Sequence, residues 1–150
     1  MFKHILIPTD GSKISNEAAQ AGVRLAAALG AQVTALFAAP PATPVVYRGV
    51  LPAGLTTPEK HRKMIDKMAA SYLGSVEDAA RAAGVRCASV TLTSDFPADA
   101  ILATAKKRKC DLVFMSSHGR RGLRGALLGS ETQKVLAEGT IPVLVFRRRG

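Results

Sequence analysis

Lys3-His4-Ile5-Leu6-Ile7-Pro8-Thr9-Asp10-Gly11-Ser12 is the stretch on which the fold turns. Lys3–Pro8 is a short apolar run, closed by the turn signal Thr9-Asp10-Gly11-Ser12, and predicts a buried strand. The period then changes. Ser15 or Asn16 can cap a helix with Glu17 in its first turn. Ala18, Ala21, Leu25, Ala28 and Leu29 recur at helical spacing, and Gly30 stops the helix. The rest of the chain keeps this alternation of strand and helix.

Gln32–Ala38 is expected as the second strand, with Val33, Leu36 and Phe37. Residues 40–58 hold five of the eight prolines, Pro40, Pro41, Pro44, Pro52 and Pro58, and predict a long irregular loop. Thr57 as N-cap and Pro58 at the first helical position open the next helix. It should run to about Ala83, with Met64, Met68, Tyr72, Val76, Ala79 and Ala83 on one stripe and the methionines as core filling. Val85–Thr93 reads as the third strand, with Ala88, Val90 and Leu92 on one face. Asp95 is the expected cap of a helix carrying Ala98, Ile101, Leu102 and Ala105, and Asp111–Met115 is the fourth strand. Ser130-Glu131-Thr132-Gln133 forms a capping box for a fourth helix that Gly139 ends. Ile141–Arg147 is the fifth strand. Five strands separated by helical segments imply an α/β fold: a doubly wound, parallel five-stranded sheet in the order 3-2-1-4-5, with about four helices on both faces.

A length of 150 residues and a mass of 15.7 kDa predict one domain over 1–150, without a second domain or an internal repeat. The apolar share of 47% is that of a globular protein and excludes a disordered tail or a collagen-like chain. No run approaches the roughly 18 apolar residues of a membrane span, and Met1–Pro8 is not expected to act as a signal peptide. Cys87 and Cys110 make no disulfide framework or CxxC site and fit a reducing, cytoplasmic setting; Cys87, in a strand, is expected to be buried and inert. The net charge of +10 is lopsided, because residues 101–150 carry eleven Lys/Arg against three Asp/Glu. Part of it complements a helix end at Lys106-Lys107-Arg108-Lys109, and part is the basic tail at 147–150. Arg120, Arg121 and Arg124 instead fall in a loop of unusual composition.

In doubly wound folds ligands bind beyond the carboxyl ends of the strands, where strand order reverses. The post-strand loops with chemistry are Thr9–Ser12 and Ser116–Ser130. The second has Gly119, Gly122, Gly125 and Gly129, three arginines and a helix start at Ser130. Glycines allow close approach, and amides at a helix N-terminus with arginines beside them make a phosphate site. The plainer alternative is an ordinary strand-to-helix loop. Asp10 likewise has two readings, a ligand acceptor or a cap of its own turn. His118 can stack on a base, touch phosphate or do neither. There is no GxxxxGK[ST], no GxGxxG after the first strand, no kinase signature set and no GxSxG elbow. His4, His61 and His118 offer no metal-ligand spacing.

Ile5–Ser12 together with Met115-Ser116-Ser117-His118-Gly119 and Gly129-Ser130 resembles the universal stress protein family, over essentially the whole chain in element order and length. Its ATP-binding members carry G-x2-G-x9-G-[ST]; here Gly119 and Gly129-Ser130 fit, and Ser116 replaces the first glycine. A second departure is Asp95, where the family often has Gly before its Pro-Ala pair, here Pro97-Ala98. The resemblance implies that Pro8, Thr9 and Asp10 lie along the adenosine, that the backbone near Ala38 meets the adenine edge, and that Met115 and Ser116 line the ribose. It implies that Gly119, Gly129, Ser130, Glu131 and Thr132 hold phosphates; His118 and Arg120 of the same loop are added as candidate ATP-binding residues from the loop's own chemistry. The expected ligand is ATP with Mg2+ or Mn2+ on its phosphates and no metal held by the protein alone. The expected role is a small cytoplasmic stress-response regulator, with slow ATP hydrolysis at most. A nucleotide-free interaction module of the same fold is the alternative, supported by Ser116. Nucleic-acid binding has the basic C-terminal third in its favour; aromatics at 5%, no Trp and no reading motif stand against it. The fifth strand should lie at the sheet edge, and with the resemblance this predicts a homodimer through 141–147.

Overall fold

The computed structural model of the chain describes residues 1–42, 57–120 and 128–148. Pro44 and Pro52 of the expected long loop, Arg121 and Arg124, and the last two tail residues lie outside the described residues. The elements run β1 (His4–Pro8), α1 (Lys13–Leu29), β2 (Gln32–Ala39), α2 (Pro58–Ala82), β3 (Cys87–Thr93), α3 (Pro97–Lys107), β4 (Leu112–Ser116), α4 (Ser130–Glu138) and β5 (Val143–Phe146). The sheet order is β3-β2-β1-β4-β5 and every pairing is parallel, as the alternation of strand and helix requires.

Each face of the sheet is covered, which is why β1 is apolar on both sides. Ile5, Ile7, Val33, Phe37 and Phe114 pack against Ala18, Val23 and Ala26 of α1 and Leu73, Val76 and Ala80 of α2. Leu6, Leu36, Val113 and Met115 pack against Ala98, Ile101 and Ala105 of α3 and Val135 of α4. Ile5, Leu6, Ile7 and Leu36 are wholly buried, each contributing about 1.5–3 kcal/mol.

Several local expectations are corrected. The N-cap of α1 is Ser12, not Ser15 or Asn16; its hydroxyl accepts from the Ser15 N–H. Thr57 and Pro58 do open α2, but the buried stripe is Ile65, Leu73, Val76 and Ala80, and Met64 is half exposed. The expected stripe stepped back from Val76 in fours, and three such steps leave a residue about 120° from the buried face at 3.6 residues per turn. On β3 only Val90 of the expected apolar face is half-buried, because this edge strand lies outside the helix that covers β1 and β2 from that side. Cys87 there is half-buried, and burial pushes its thiol up. The N-cap of α3 is Phe96 rather than Asp95, and that of α4 is Gly129, with Ser130 already helical.

Candidate functional site

The chain winds β1, β2, β3 to one side and β4, β5 to the other, so order reverses between β1 and β4. Their carboxyl ends carry the two loops singled out by sequence. Thr9 is buried, and its hydroxyl accepts from the Gly11 N–H at 3.2 Å and from the Ser15 hydroxyl at 3.1 Å. The Ser15 oxygen in turn accepts from the Asp10 N–H at 3.2 Å. Asp10 Oδ1 accepts from the Ser12 N–H at 2.9 Å, so its turn-capping role is real. Gly11 has φ +75°, a left-handed conformation that lets the chain turn from strand to helix cap.

The other Asp10 oxygen crosses to the β4 loop. Oδ2 accepts from the Arg120 N–H at 2.6 Å, and the Arg120 guanidinium donates through Nη2 to the Asp10 carbonyl at 3.1 Å and to the Tyr72 hydroxyl at 2.9 Å. Gly119 makes this possible: a Cβ there would lie 2.6 Å from Asp10 Oδ2.

Ser116 closes β4, paired with Phe146, and its hydroxyl donates to the His118 carbonyl at 2.7 Å. Among described non-glycine residues only Lys109 has positive φ, so Ser116 replaces the motif glycine without backbone strain. The Met115 side chain is buried in the core beneath α3 and α4. Ser117 Oγ lies 3.1 Å from His118 Nδ1. Pro8 and Ala38, both half-buried, sit at the carboxyl ends of β1 and β2 beside this cluster.

The start of α4 is bound tightly to the same loop. The Gly129 N–H donates to the Ser117 carbonyl at 2.7 Å, and the buried Thr132 hydroxyl donates to the Ser116 and Ser117 carbonyls at 3.1 and 3.3 Å. A Cβ on Gly129 would lie 3.3 Å from the Ser117 carbonyl oxygen, so this glycine already serves the protein's own backbone. Glu131 Oε2 accepts from the Ala98 N–H at 2.7 Å and thereby caps α3, the task expected of Asp95. The N–H groups of Ser130, Glu131 and Thr132 stand in the first turn of α4, where the partial charge of a helix end is positive. Ser130 is exposed at this mouth.

The structure thus brings together Asp10, Ser116, His118, Gly119, Arg120, Gly129 and Ser130, and turns the side chains of Met115, Glu131 and Thr132 to structural work. Residues 1–147 match the Universal stress protein family. The chain belongs to that family. It is 33% identical over 148 residues to Universal stress protein MJ0531 of Methanocaldococcus jannaschii, covering 99% of this chain and 84% of the relative. Among solved structures, MJ0577 superposes with a TM-score of 0.74 at 24% identity, covering 100% of this chain and 99% of that one. A universal stress protein in complex with cAMP superposes at 0.68 and 23% identity, over 97% of each chain. One from Archaeoglobus fulgidus in complex with dAMP does so at 0.62 and 15% identity, over 98% of each. These likenesses establish the fold.

Tyr72 and Ser15 are site residues that sequence reasoning missed. Tyr72 falls on the expected core stripe, yet its polar tip is the signal that such a residue faces a wet boundary. At the opposite, amino end of the sheet, a groove of about 730 Å3 is lined by Leu102, Ala105, Cys110, Ile141 and Pro142 among others. Nearby His4 Nε2 lies 2.7 Å from the Thr34 hydroxyl, and burial pushes the Cys110 thiol up to about 11. No helix among the described residues is long and apolar enough to cross a membrane.

Proposed function

We propose that this universal stress protein binds an adenine nucleotide, ATP foremost, between the loops after β1 and β4. The observation that carries the reading is the meeting of Asp10 with Gly119 and Arg120 beside the amino end of α4. The adenosine lies along Pro8, Thr9, Asp10 and Ala38, past Ser116. The phosphates meet the Ser130 hydroxyl and the α4 amides, with Arg120 and His118 beside them. Relatives of this fold solved with cAMP and dAMP support an adenine ligand. Mg2+ or Mn2+ would ride on the nucleotide's phosphates. Calorimetry with Mg-ATP tests this: saturable heat at millimolar ATP or below supports it, and no heat and no thermal shift sinks it. Asp10, Glu131 and Thr132 are already satisfied within the protein, and this favours the second reading, a nucleotide-free interaction module. Adenine nucleotide released when protein purified from cells is denatured separates the two.

The chain is read as one domain over 1–150, a cytoplasmic stress-response regulator acting as a homodimer through β5. β5 is an edge strand, and Leu144 on it and Leu136 on α4 stay 38% and 44% exposed. Antiparallel pairing of two such edges satisfies both. Light scattering at micromolar concentration should give a dimer mass that Val145→Lys reduces to a monomer; a monomeric parent chain refutes it.

A further inference from the structure

We propose that Tyr72 holds the nucleotide site in a self-satisfied resting state, by keeping the Arg120 guanidinium over Asp10 until nucleotide phosphate draws it away. This rests on the adenine-nucleotide reading of the site. Tyr72 comes from α2, an element outside both ligand loops. Its ring is fixed independently of Arg120: it stands edge-on to Phe37 at 5.2 Å between centroids, and it lies against Gly11, where a Cβ would sit 2.2 Å from Cε1. Arg120 is the movable partner. It is exposed, its Cζ lies 5.5 Å from the Tyr72 ring centroid, and Nη2 donates to both the Tyr72 hydroxyl and the Asp10 carbonyl.

The Arg120 N–H, bonded to Asp10 Oδ2, pins the backbone at that residue, so its side chain can turn while its own backbone stays. That backbone starts one residue from Gly119, whose nitrogen lies 3.9 Å from the Cβ position of Gly129 at the mouth of α4. A guanidinium has only donors, and two neutral oxygens hold it less strongly than a charged phosphate. The phenol is therefore a competitor of the phosphate. Its contact must be given up on binding, which lowers the apparent affinity by the share of molecules in the resting state.

Tyr72→Phe keeps the ring on Gly11 and Phe37 and removes the acceptor. Loss of one ordinary hydrogen bond from the resting state should tighten Mg-ATP binding about three- to tenfold. Adenosine, without phosphate, should bind wild type and Tyr72→Phe alike. In nucleotide-free protein, Tyr72→Phe and Arg120→Ala should lower stability by less together than the sum of each alone, because they break the same contact. Calorimetry with both ligands and thermal melts of the single and double variants read these out. Unchanged or weaker ATP binding in Tyr72→Phe, an equal gain for adenosine, or additive stability losses overturns the proposal. A wild-type chain that binds no adenine nucleotide overturns the functional reading itself, and so the two failures are told apart.

Discussion

Gly11→Ala should be the most costly single-methyl change in the site. Gly11 sits at φ +75°, and a left-handed conformation costs a residue with a Cβ about 1–2 kcal/mol. Alanine regains about 0.4–1 kcal/mol through reduced freedom of the unfolded chain. The new methyl would also stand 2.2 to 2.5 Å from three carbons of the Tyr72 ring, so the ring must move. Moving it gives up the edge-on contact with Phe37, about 0.5–1.5 kcal/mol, and the hydrogen bond from Arg120, of similar size. The sum is a loss of about 2–4 kcal/mol, or roughly 6–13 °C in thermal midpoint for a chain of this length. In a Tyr72→Ala background only the backbone term remains, and the same change should cost about 1 kcal/mol. Urea unfolding of the four proteins in the cycle measures both values. Equal costs in the two backgrounds would refute the clash with Tyr72, and a cost below about 0.5 kcal/mol would refute the strain as well.

Gly129→Val should lower the thermal midpoint even without nucleotide, because its side chain meets the Ser117 carbonyl; a normal midpoint with lost ATP binding would mean that the glycine serves only the ligand. Glu131→Ala should cost about 1 kcal/mol by uncapping α3, seen as a lower urea midpoint at unchanged slope, and Glu131→Gln should recover most of it. Burial holds His4 below the ordinary histidine value of 6.5, against Asp111, which raises it. The folded state therefore prefers neutral His4, and the contribution is complete above pH 6.5 and lost as pH falls below it. Thermal midpoints of wild type and His4→Gln on either side of that pH should diverge less in the variant; parallel profiles would assign the acid loss to other groups.

The order of elements was legible because period and punctuation agree: an apolar run, a turn, a 3.6-residue stripe and a glycine stop recur along the chain. The caps were less legible, since several residues near each helix start can cap it. Ser12 was chosen over Ser15 and Asn16 by the Asp10 turn and the left-handed Gly11, which bring the chain into line one residue after the glycine. The cap of α3 arrives from Glu131, 33 residues downstream, and no local window contains it. In the site, Asp10, Gly119 and Gly129 were visible as residue types with few ordinary uses in that pattern. Tyr72 was not, because a helix stripe says which residues face inward and nothing about which loop their tips reach.

The carboxylate of Glu131 sits where the first turns of α3 and α4 converge, so two positive helix ends share one resident anion. On the proposed nucleotide reading, a phosphate at Ser130 would enter a field that is already partly neutralised and would also meet a fixed negative neighbour. Free ATP, with its full charge, would then be a worse guest than ATP whose charge is reduced by a divalent ion. On the proposed reading, selection for the metal complex would be exerted through the electrostatics of a helix cap.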